Sequence, residues 1–291
     1  MAKLAFLGLG VMGYPMAGHL QKKGGHEVIV YNRTASKSAQ WAKEHGGRSA
    51  PTPREAAAGA EMVLMCVGND DDVRSVIYGD NGALAGMKSG TILVDHTTDS
   101  ASLARELHAN CKPAGIGFVD APVSGGQAGA VNGQLGIMCG GDAAVFARAK
   151  PVLEVYAKSC VLIGEAGAGQ LTKMVNQIAI AGLLQGLAEA INFGKRAGLD
   201  IEKVISVISK GAAQSWQMEN RWKAVNEVKF DGFGFAVDWM RKDLGICLDE
   251  AKRNGARLPA TALIDQFYAQ VQARGGGRWD TSSLMHLLAK D

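Results

Sequence analysis

Short apolar runs recur along the first half of the chain, and longer amphipathic stretches separate them. These runs lie within residues 4–8, 28–31, 62–67, 91–94, 117–120, 135–139 and 160–163. They are brief, partly β-branched and bounded by Gly, Pro, Asp or Asn, which is typical of strands rather than of helix fragments. Strands that alternate with helix-length segments predict βαβ units and a doubly wound, mainly parallel sheet.

The pattern changes after Gly164. From 166 to 196 the chain has no proline, and its apolar residues recur at helical spacing, which predicts one helix of about 30 residues. Further helices, without a convincing strand among them, are predicted near 201–210, 216–223, 237–254, 260–273 and 281–289. The sequence therefore predicts an α/β fold, with a doubly wound domain over 1–163, an all-α domain over 164–291 and a long interdomain helix.

Composition and charge narrow the function classes. The 291 residues carry 31 Lys and Arg against 28 Asp and Glu, and no run of like charges concentrates the excess. We expect no nucleic-acid partner. We also expect no membrane partner, because the longest apolar segment, 178–191, is shorter than the roughly 20 residues of a span. The N-terminus lacks the pattern of a signal peptide, and the five cysteines form no CxxC pair, so a cytoplasmic location is expected.

A glycine motif of the form GxGxxG follows the first predicted strand and opens a helical stretch. It consists of Gly8, Leu9, Gly10, Val11, Met12 and Gly13. In such a turn the glycines permit tight bending and close approach of a pyrophosphate, and the helix N-terminus faces the anion. A second predicted strand, 28–31, follows, and this context predicts dinucleotide binding. The alternative is a glycine-rich turn without a function.

The segment after the second predicted strand favours NADP over NAD. NAD-binding units place an acidic residue about 20 residues beyond the glycines, but this chain has Asn32, Arg33 and Thr34 there. Arg33 can form charge-assisted hydrogen bonds with a 2′-phosphate, and Asn32 and Thr34 can add neutral ones. The alternative is that Arg33 is an ordinary surface charge.

Two further segments carry candidate chemistry. Between predicted strands, Pro122 stiffens a loop that continues with Ser124, Gly125 and Gly126, and this loop is either a plain turn or an anion site.

At the start of the long helix, Lys173, Asn176 and Gln177 fall at i, i+3 and i+4 and project from one face. Lys173 is either a functional group or a lysine whose charged end simply reaches water. Histidine and acidic spacings indicate no metal site.

These segments together resemble the β-hydroxyacid dehydrogenase family over the whole chain. The resemblance rests on the glycine motif, DAPVSGG at 120–126, the GxGxxxK run at 167–173 and Lys242-Asp243-Leu244. It implies an N-terminal Rossmann-type domain, a helical C-terminal domain that commonly dimerises, and an oxidoreductase acting on small hydroxy acids. The string at 32–34 looks most like the NADPH-dependent glyoxylate and succinic semialdehyde reductases.

The resemblance also implies roles for individual residues. Lys173 matches the catalytic lysine, Ser124, Gly125 and Gly126 match the loop that holds the substrate carboxylate, and Asn176 or Gln177 would orient the substrate. The remaining matches are to cofactor contacts (Cys66, Val67, Thr98 and Lys242), a pocket wall (Phe235) and a residue supporting the lysine region (Asp243).

The predicted reaction is NADP(H)-dependent interconversion of a small aldehyde-bearing carboxylic acid and its hydroxy acid. Glyoxylate and succinic, tartronate or methylmalonate semialdehyde are the candidate aldehydes, and Lys173 is the expected general acid and base. Alternatives are an imine reductase of the same architecture and an NAD-linked 3-hydroxyisobutyrate or serine-type dehydrogenase. Gly182 and Gly186 lie one turn apart on the long helix, which predicts either close packing inside the chain or a homo-oligomer contact.

Overall fold

The computed structural model describes residues 1–289 of the chain and divides into two compact units. The first unit, Met1–Lys173, contains every strand of the described sheet, and the second, which begins at Met174, is helical. The predicted α/β fold class, with a doubly wound first domain and a helical second one, is confirmed.

The first unit is built on one nine-stranded sheet. Its strands are β1 (Lys3–Leu7), β2 (Glu27–Tyr31), β3 (Arg48–Ser49), β4 (Met62–Met65), β5 (Ile92–Asp95), β6 (Gly117–Asp120), β7 (Val123–Ser124), β8 (Leu135–Gly141) and β9 (Ala157–Gly164). The order is β3-β2-β1-β4-β5-β6-β8-β7, and β9 pairs with β8. From β1 to β6 all pairs are parallel, whereas β8 runs antiparallel to β6 and β7.

Helices of the first unit connect these strands. They are α1 (Gly13–Lys22), α2 (Ala35–His45), α3 (Pro53–Ala57), α4 (Asp70–Ile77), α5 (Ala101–Cys111), α6 (Gly126–Asn132) and α7 (Ala143–Leu153). Short 3₁₀ turns lie at Ala83–Gly86, Lys112–Ala114 and Glu154–Tyr156. The seven strands predicted from apolar runs are all present. The sequence did not predict β3, β7 or α6, because strands of two residues show no periodicity and α6 is rich in glycine and alanine.

Both faces of the sheet are covered at β1, β4 and β5, which explains why these strands read as continuous apolar runs. Along β1, Leu4 and Phe6 belong to one buried cluster and Ala5 and Leu7 to another, because successive side chains of a strand point to opposite faces. All four side chains are at most 1% exposed. The doubly wound connections thus follow directly from strands that must be buried on two sides.

The second unit consists of helices around its own apolar core. The long helix α8 (Ala168–Arg196) begins in the first unit and continues into the second, where it is followed by α9 (Ile201–Ile208), α10 (Trp216–Glu227), α11 (Val237–Asn254) and α12 (Pro259–Ala273). Leu184, Ile205 and Tyr268 are typical core residues. The predicted last helix is instead a 3₁₀ helix over Thr281–Leu287, started by Asp280, which accepts from Ser282 N.

The two compact units divide within α8, between Lys173 and Met174, ten residues after the predicted domain boundary at 163/164. The first turn of α8 is bonded to the first unit. Gly167 N and Gln170 N donate to the two carboxylate oxygens of Asp120, at 2.8 and 2.9 Å. This pairing explains why the beginning of the helix groups with the sheet.

Among the described residues, α8 is one helix that is long and apolar enough to cross a membrane by length and composition. The length argument from residues 178–191 therefore does not exclude a span. However, 44% of the most apolar window of α8 is buried inside the structure, and Leu184 and Ile191 lie in the core of the second unit. Core helices of soluble proteins pass the same test, so the helix is weak evidence for a membrane.

Candidate functional site

The carboxyl ends of five neighbouring parallel strands lie side by side in the first unit. The registers pair Leu7 with Tyr31 and with Met65, Met65 with Asp95, and Asp95 with Asp120. The segments that follow these strands therefore emerge along one edge of the sheet. They include the glycine turn, residues 32–34, Cys66-Val67, Thr98 and the Ser124 loop. Ligands of doubly wound sheets bind at this edge, near the point where the strand order reverses.

The glycine turn leads from β1 into α1, and its three glycines have different roles. Gly8 has φ +95°, and a Cβ there would overlap the Cys66 carbonyl oxygen. A Cβ on Gly13 would overlap the Gly8 carbonyl oxygen, so Gly13 permits close packing of helix and strand. Gly10 is exposed, and a Cβ there would meet nothing within 4 Å among the described residues. Gly10 therefore leaves the backbone open to a ligand.

The beginning of α1 favours an anion. Its N-cap residue, Met12, makes no side-chain cap hydrogen bond, and the first turn contains no acidic residue. The backbone N–H groups of a first helical turn lack intrahelical acceptors and carry the positive end of the helix dipole. The exposed turn and this helix start together fit the pyrophosphate of a dinucleotide.

The segment after β2 places its three predicted residues differently. Asn32 accepts a hydrogen bond from Leu9 N at 2.9 Å and donates to Thr34 O at 3.2 Å, so its amide braces the glycine turn. The side chain of Arg33 is 85% exposed and lies 3.1 Å from Asp72 Oδ1. Thr34 is the exposed N-cap of α2 and makes no side-chain cap bond there.

The segments after β4 and β5 are tied to each other. Val67 N donates to Thr97 Oγ1 at 3.1 Å, and Cys66 is partly exposed beside it. Thr98 is also partly exposed, one residue beyond the buried Thr97. The structure therefore brings Cys66, Val67 and Thr98 to the same edge as the glycine turn, as their predicted cofactor role requires.

A buried polar network lies beneath the start of α8. Asp120 accepts from Gly167 N and Gln170 N, and the Gln170 side chain donates to Thr97 O at 2.7 Å and accepts from Asp99 N at 3.3 Å. Burial raises the pKa of the Asp120 carboxyl, and its backbone hydrogen bonds oppose this shift. The network fixes the first turn of α8 against the loops after β5 and β6.

Asp95 and His96 continue this network into the core. Burial raises the pKa of Asp95 to about 6, although hydrogen bonds from Asp99 and Thr97 oppose the shift. His96 bonds through Nδ1 to Ala121 O at 2.6 Å and through Nε2 to the Tyr156 hydroxyl at 2.8 Å. Burial lowers the pKa of His96 to about 4. His96 is therefore a neutral structural residue near pH 7.

Lys173 lies beside the predicted substrate loop. It is 8% exposed, and its Nζ donates to Val123 O at 2.9 Å, one residue before Ser124. Ser124 is partly exposed at the end of β7, and Gly125 and Gly126 are exposed, with φ of +124° and +60°. Because L side chains rarely adopt such φ values, the loop requires glycine at both positions. The structure thus places Lys173 next to the loop of Ser124, Gly125 and Gly126.

Within the second unit, the predicted amides and acidic residue form a chain of hydrogen bonds. Asn176 Nδ2 donates to Gln177 Oε1 at 2.8 Å, and Gln177 Nε2 donates to Asp243 Oδ2 at 2.6 Å. Lys242 Nζ lies 3.2 Å from Asp243 Oδ1. Gln177 and Asp243 are both 2% exposed, whereas Asn176 is only partly buried. Gln177 therefore uses its amide within the protein.

Phe235 is held by its backbone. Its N–H donates to Asp280 Oδ2 at 2.9 Å, and its carbonyl accepts from Thr281 N at 2.9 Å. Asp280 is fully buried and pairs with Arg221 at 3.2 Å. The sequence did not single out Asp280 or Arg221, because neither stands near Phe235 along the chain.

Among residues 1–289, no group of three or more His, Cys, Asp or Glu side chains is placed to hold a metal ion. The same residues contain no disulfide. The polar groups at the sheet edge instead suit a dinucleotide. Gly8, Gly10 and Gly13 would accommodate its pyrophosphate, and Arg33 would lie toward its adenosine end.

Comparison with known proteins assigns both parts of the chain. Residues 3–164 match the family described as the NAD binding domain of 6-phosphogluconate dehydrogenase. Residues 167–288 match the family described as NAD-binding of NADP-dependent 3-hydroxyisobutyrate dehydrogenase. The chain belongs to the β-hydroxyacid dehydrogenase family. It is accordingly an NAD(P)-dependent oxidoreductase, as the resemblance of its motifs predicted.

Individual relatives match this β-hydroxyacid dehydrogenase over nearly the full length. An uncharacterized oxidoreductase of Shewanella frigidimarina is 62% identical, with 100% of this chain and 99% of the relative covered. The 2-hydroxy-3-oxopropionate reductase of Escherichia coli is 34% identical, with 98% and 97% covered. The structure of Mycobacterium tuberculosis 3-hydroxyisobutyrate dehydrogenase with L-serine has TM-score 0.90 and 32% identity, with both chains covered completely.

Sequence reasoning did not single out several polar residues of this β-hydroxyacid dehydrogenase. Thr97, Asp99 and Gln170 join the network below Lys173, and Asp72 pairs with Arg33. Gln170 could have been found, because it stands three residues before Lys173 within the GxGxxxK run. The other pairings join residues far apart in sequence.

Proposed function

We propose that this protein is an NADP(H)-dependent reductase of small aldehyde-bearing carboxylic acids, which also oxidises the corresponding hydroxy acids. The observation that carries the proposal is the contact between Lys173 Nζ and Val123 O, which fixes an ammonium group beside the Ser124 loop. A proton donor next to a loop of exposed glycine N–H groups suits a substrate with a carboxylate and a carbonyl.

Each residue of the proposed site has a separate role in the reaction. Ser124 and the N–H groups of Gly125 and Gly126 bind the carboxylate and so orient the carbonyl. In reduction, the Lys173 ammonium donates a proton to the carbonyl oxygen as it becomes an alkoxide, and in oxidation the neutral amine accepts that proton. When bound, the nicotinamide supplies or accepts the hydride. We propose Asn176 as the amide that orients the substrate, because Asn176 is only partly buried whereas Gln177 is 2% exposed and donates to Asp243.

NADP is the proposed cofactor. Arg33 is exposed. Neither the segment 32–34 nor the first turn of α2 contains an acidic residue. The first turn of α2 also contains Lys37, which adds positive charge. Such a segment attracts a 2′-phosphate. The description of the matched second family as NADP-dependent agrees with this proposal.

A substrate screen tests the proposed reaction. NADPH oxidation is followed with glyoxylate and with succinic, tartronate and methylmalonate semialdehydes, and each assay is repeated with NADH. We expect turnover of at least one of these acids and a higher kcat/KM with NADPH. Activity on a cyclic imine without activity on any aldehyde acid would instead identify an imine reductase.

Variants at Lys173 test the mechanism. We expect Lys173→Ala and Lys173→Met to lower kcat by about 10²–10⁴, the range of a positioned general acid, while the Kd for NADPH changes much less. Lys173→Arg should not restore activity, because a guanidinium does not release its proton near neutrality. The control is Lys150→Ala, which removes a surface lysine paired only with Glu154 among the described ion pairs. Retention of more than about a tenth of kcat in Lys173→Met would contradict the proton-transfer role.

We further propose that the protein is a homo-oligomer, most simply a dimer, in the cytoplasm. Gly182 and Gly186 are exposed, and Cβ atoms built on them meet nothing within 4 Å among the described residues. Leu183 and Phe193 on the same helix are also exposed, by 45% and 73%. An exposed apolar helix face of this kind suits another helix of a second copy. The five cysteines are odd in number and form no CxxC pair, which supports the proposal of a reducing compartment.

A further inference from the structure

One ion pair at the adenosine end of the candidate cofactor site is not explained by folding alone. Arg33 Nη1 lies 3.1 Å from Asp72 Oδ1, and the two side chains are 85% and 31% exposed. An exposed pair of this kind contributes little to stability. The position of the pair is relevant to ligand binding rather than to stability. The pair joins the segment after β2 to the beginning of α4, and both lie at the carboxyl edge of the sheet.

The carboxylate of Asp72 is not required to cap α4. Asn69 Oδ1 accepts from Asp72 N at 2.9 Å, so the N-cap is supplied by Asn69. Asp70 uses both carboxylate oxygens on Ser100, and Asp71 is exposed. Of the three consecutive aspartates, Asp72 is the one that contacts Arg33.

We propose that Asp72 is a specificity-determining residue that limits the preference of this site for a 2′-phosphorylated adenosine. Asp72 competes with the 2′-phosphate for the Arg33 guanidinium, whereas binding of a plain ribose hydroxyl does not depend on that cation. The inference rests on the proposed NADP site. It predicts that the chain retains measurable use of NAD(H), because Asp72 partly neutralises the charge that would select for NADP(H).

The test compares Asp72→Asn with Asp71→Asn. The two variants remove the same charge from the same helical turn, but only Asp72 contacts Arg33. Binding of adenosine 2′,5′-bisphosphate and of adenosine 5′-monophosphate is measured by isothermal titration calorimetry, so the readout does not depend on catalysis. Thermal unfolding without ligand checks that both variants fold.

We expect Asp72→Asn to tighten the bisphosphate by about three- to tenfold, since a phosphate carries up to two charges and the pair is partly screened. Binding of the monophosphate should stay unchanged. Asp71→Asn should change either ligand by less than about twofold. High salt should reduce the gain in Asp72→Asn, and an Arg33→Ala background should largely remove it.

Equal effects of Asp72→Asn and Asp71→Asn, or no tightening in Asp72→Asn, would overturn the inference. So would a gain that persists undiminished in the Arg33→Ala background. Failure of the proposed NADP preference gives a different result, in which the wild-type protein binds the monophosphate at least as tightly as the bisphosphate. Tightening of the bisphosphate in Asp72→Asn would still support the inference in that case.

Discussion

Replacement of Gly10 by alanine should separate cofactor binding from folding. A Cβ on Gly10 meets nothing within 4 Å among the described residues, and Gly10 is not among the glycines with positive φ. The alanine therefore fits the ligand-free protein without strain. Since Gly→Ala at a compatible position restricts the unfolded chain, the free energy of unfolding should stay equal or rise by about 0.4–1 kcal/mol.

The same Cβ occupies the space through which a pyrophosphate would approach the turn. A hydrogen bond between a backbone N–H and a charged group contributes about 1.5–3 kcal/mol. Because 1.4 kcal/mol corresponds to a tenfold change in affinity, loss of one such bond predicts a rise in the Kd for NADPH of about 10- to 100-fold. The Kd is measured by titrating NADPH fluorescence, and stability is measured by thermal unfolding without cofactor.

Two comparisons make the result specific. Gly13→Ala should lower the unfolding temperature before any ligand is added, because its Cβ overlaps the Gly8 carbonyl oxygen. Val11→Ala shortens an exposed side chain of the same turn and adds no atom near the backbone, so its Kd should remain near that of wild type. A Gly10→Ala protein that binds NADPH normally, or that is destabilised without ligand, would refute the assignment of Gly10 to cofactor binding.

Three further predictions follow from buried or exposed groups. Asp120→Asn should lower the free energy of unfolding by about 1–3 kcal/mol, measured by urea titration, and should also lower kcat, because it loosens the helical turn that carries Lys173. If the proposed oligomer forms through α8, Gly186→Arg should give a 30.5 kDa species in light scattering where the wild type gives a larger one; a wild-type species of 30.5 kDa would reject the proposal. Asp280→Ala should destabilise by about 3 kcal/mol or more, because it leaves Arg221 without its buried partner; an unchanged urea midpoint would contradict this.

Local pattern determined which parts of this fold could be predicted. The strands and α8 are long enough for apolar residues to reveal their periodicity, and the glycine motif is contiguous in sequence. Lys173 was found because its neighbours form a recognisable run. Each of these features is formed by residues that lie close together in sequence.

The remaining features depend on contacts between distant residues. Asp120 and Gln170 are 50 residues apart, and Arg33 and Asp72 are 39 apart, so no local pattern indicates either pairing. The contacts of Asp120 with the start of α8 likewise could not be read from the change in periodicity after Gly164. The contact between Gln177 and Asp243 also joins residues that are 66 positions apart in sequence.

When the chain unfolds in mildly acidic solution, Asp95 releases a proton and the adjacent His96 takes one up. The two residues therefore affect the pH dependence of stability in opposite directions. The pKa of His96 rises from about 4 to its ordinary value of 6.5 on unfolding, so acidification between those values favours the unfolded chain. The pKa of Asp95 falls from about 6 to 3.8, so acidification between those values favours the folded chain. Burial also raises the pKa of Asp120, which acts in the same direction as Asp95.

Between about pH 4 and 6 the contributions of Asp95 and His96 therefore oppose each other, each with a slope of about 1.4 kcal/mol per pH unit. A protein that keeps both residues should lose little stability on mild acidification. Asp95→Asn should remove the Asp95 contribution that opposes His96, so that stability falls more steeply than in the wild type as the pH is lowered through this window. Two buried groups that each disfavour their charged form thus offset one another, because burial of the acid and burial of the base produce opposite pH dependences of stability.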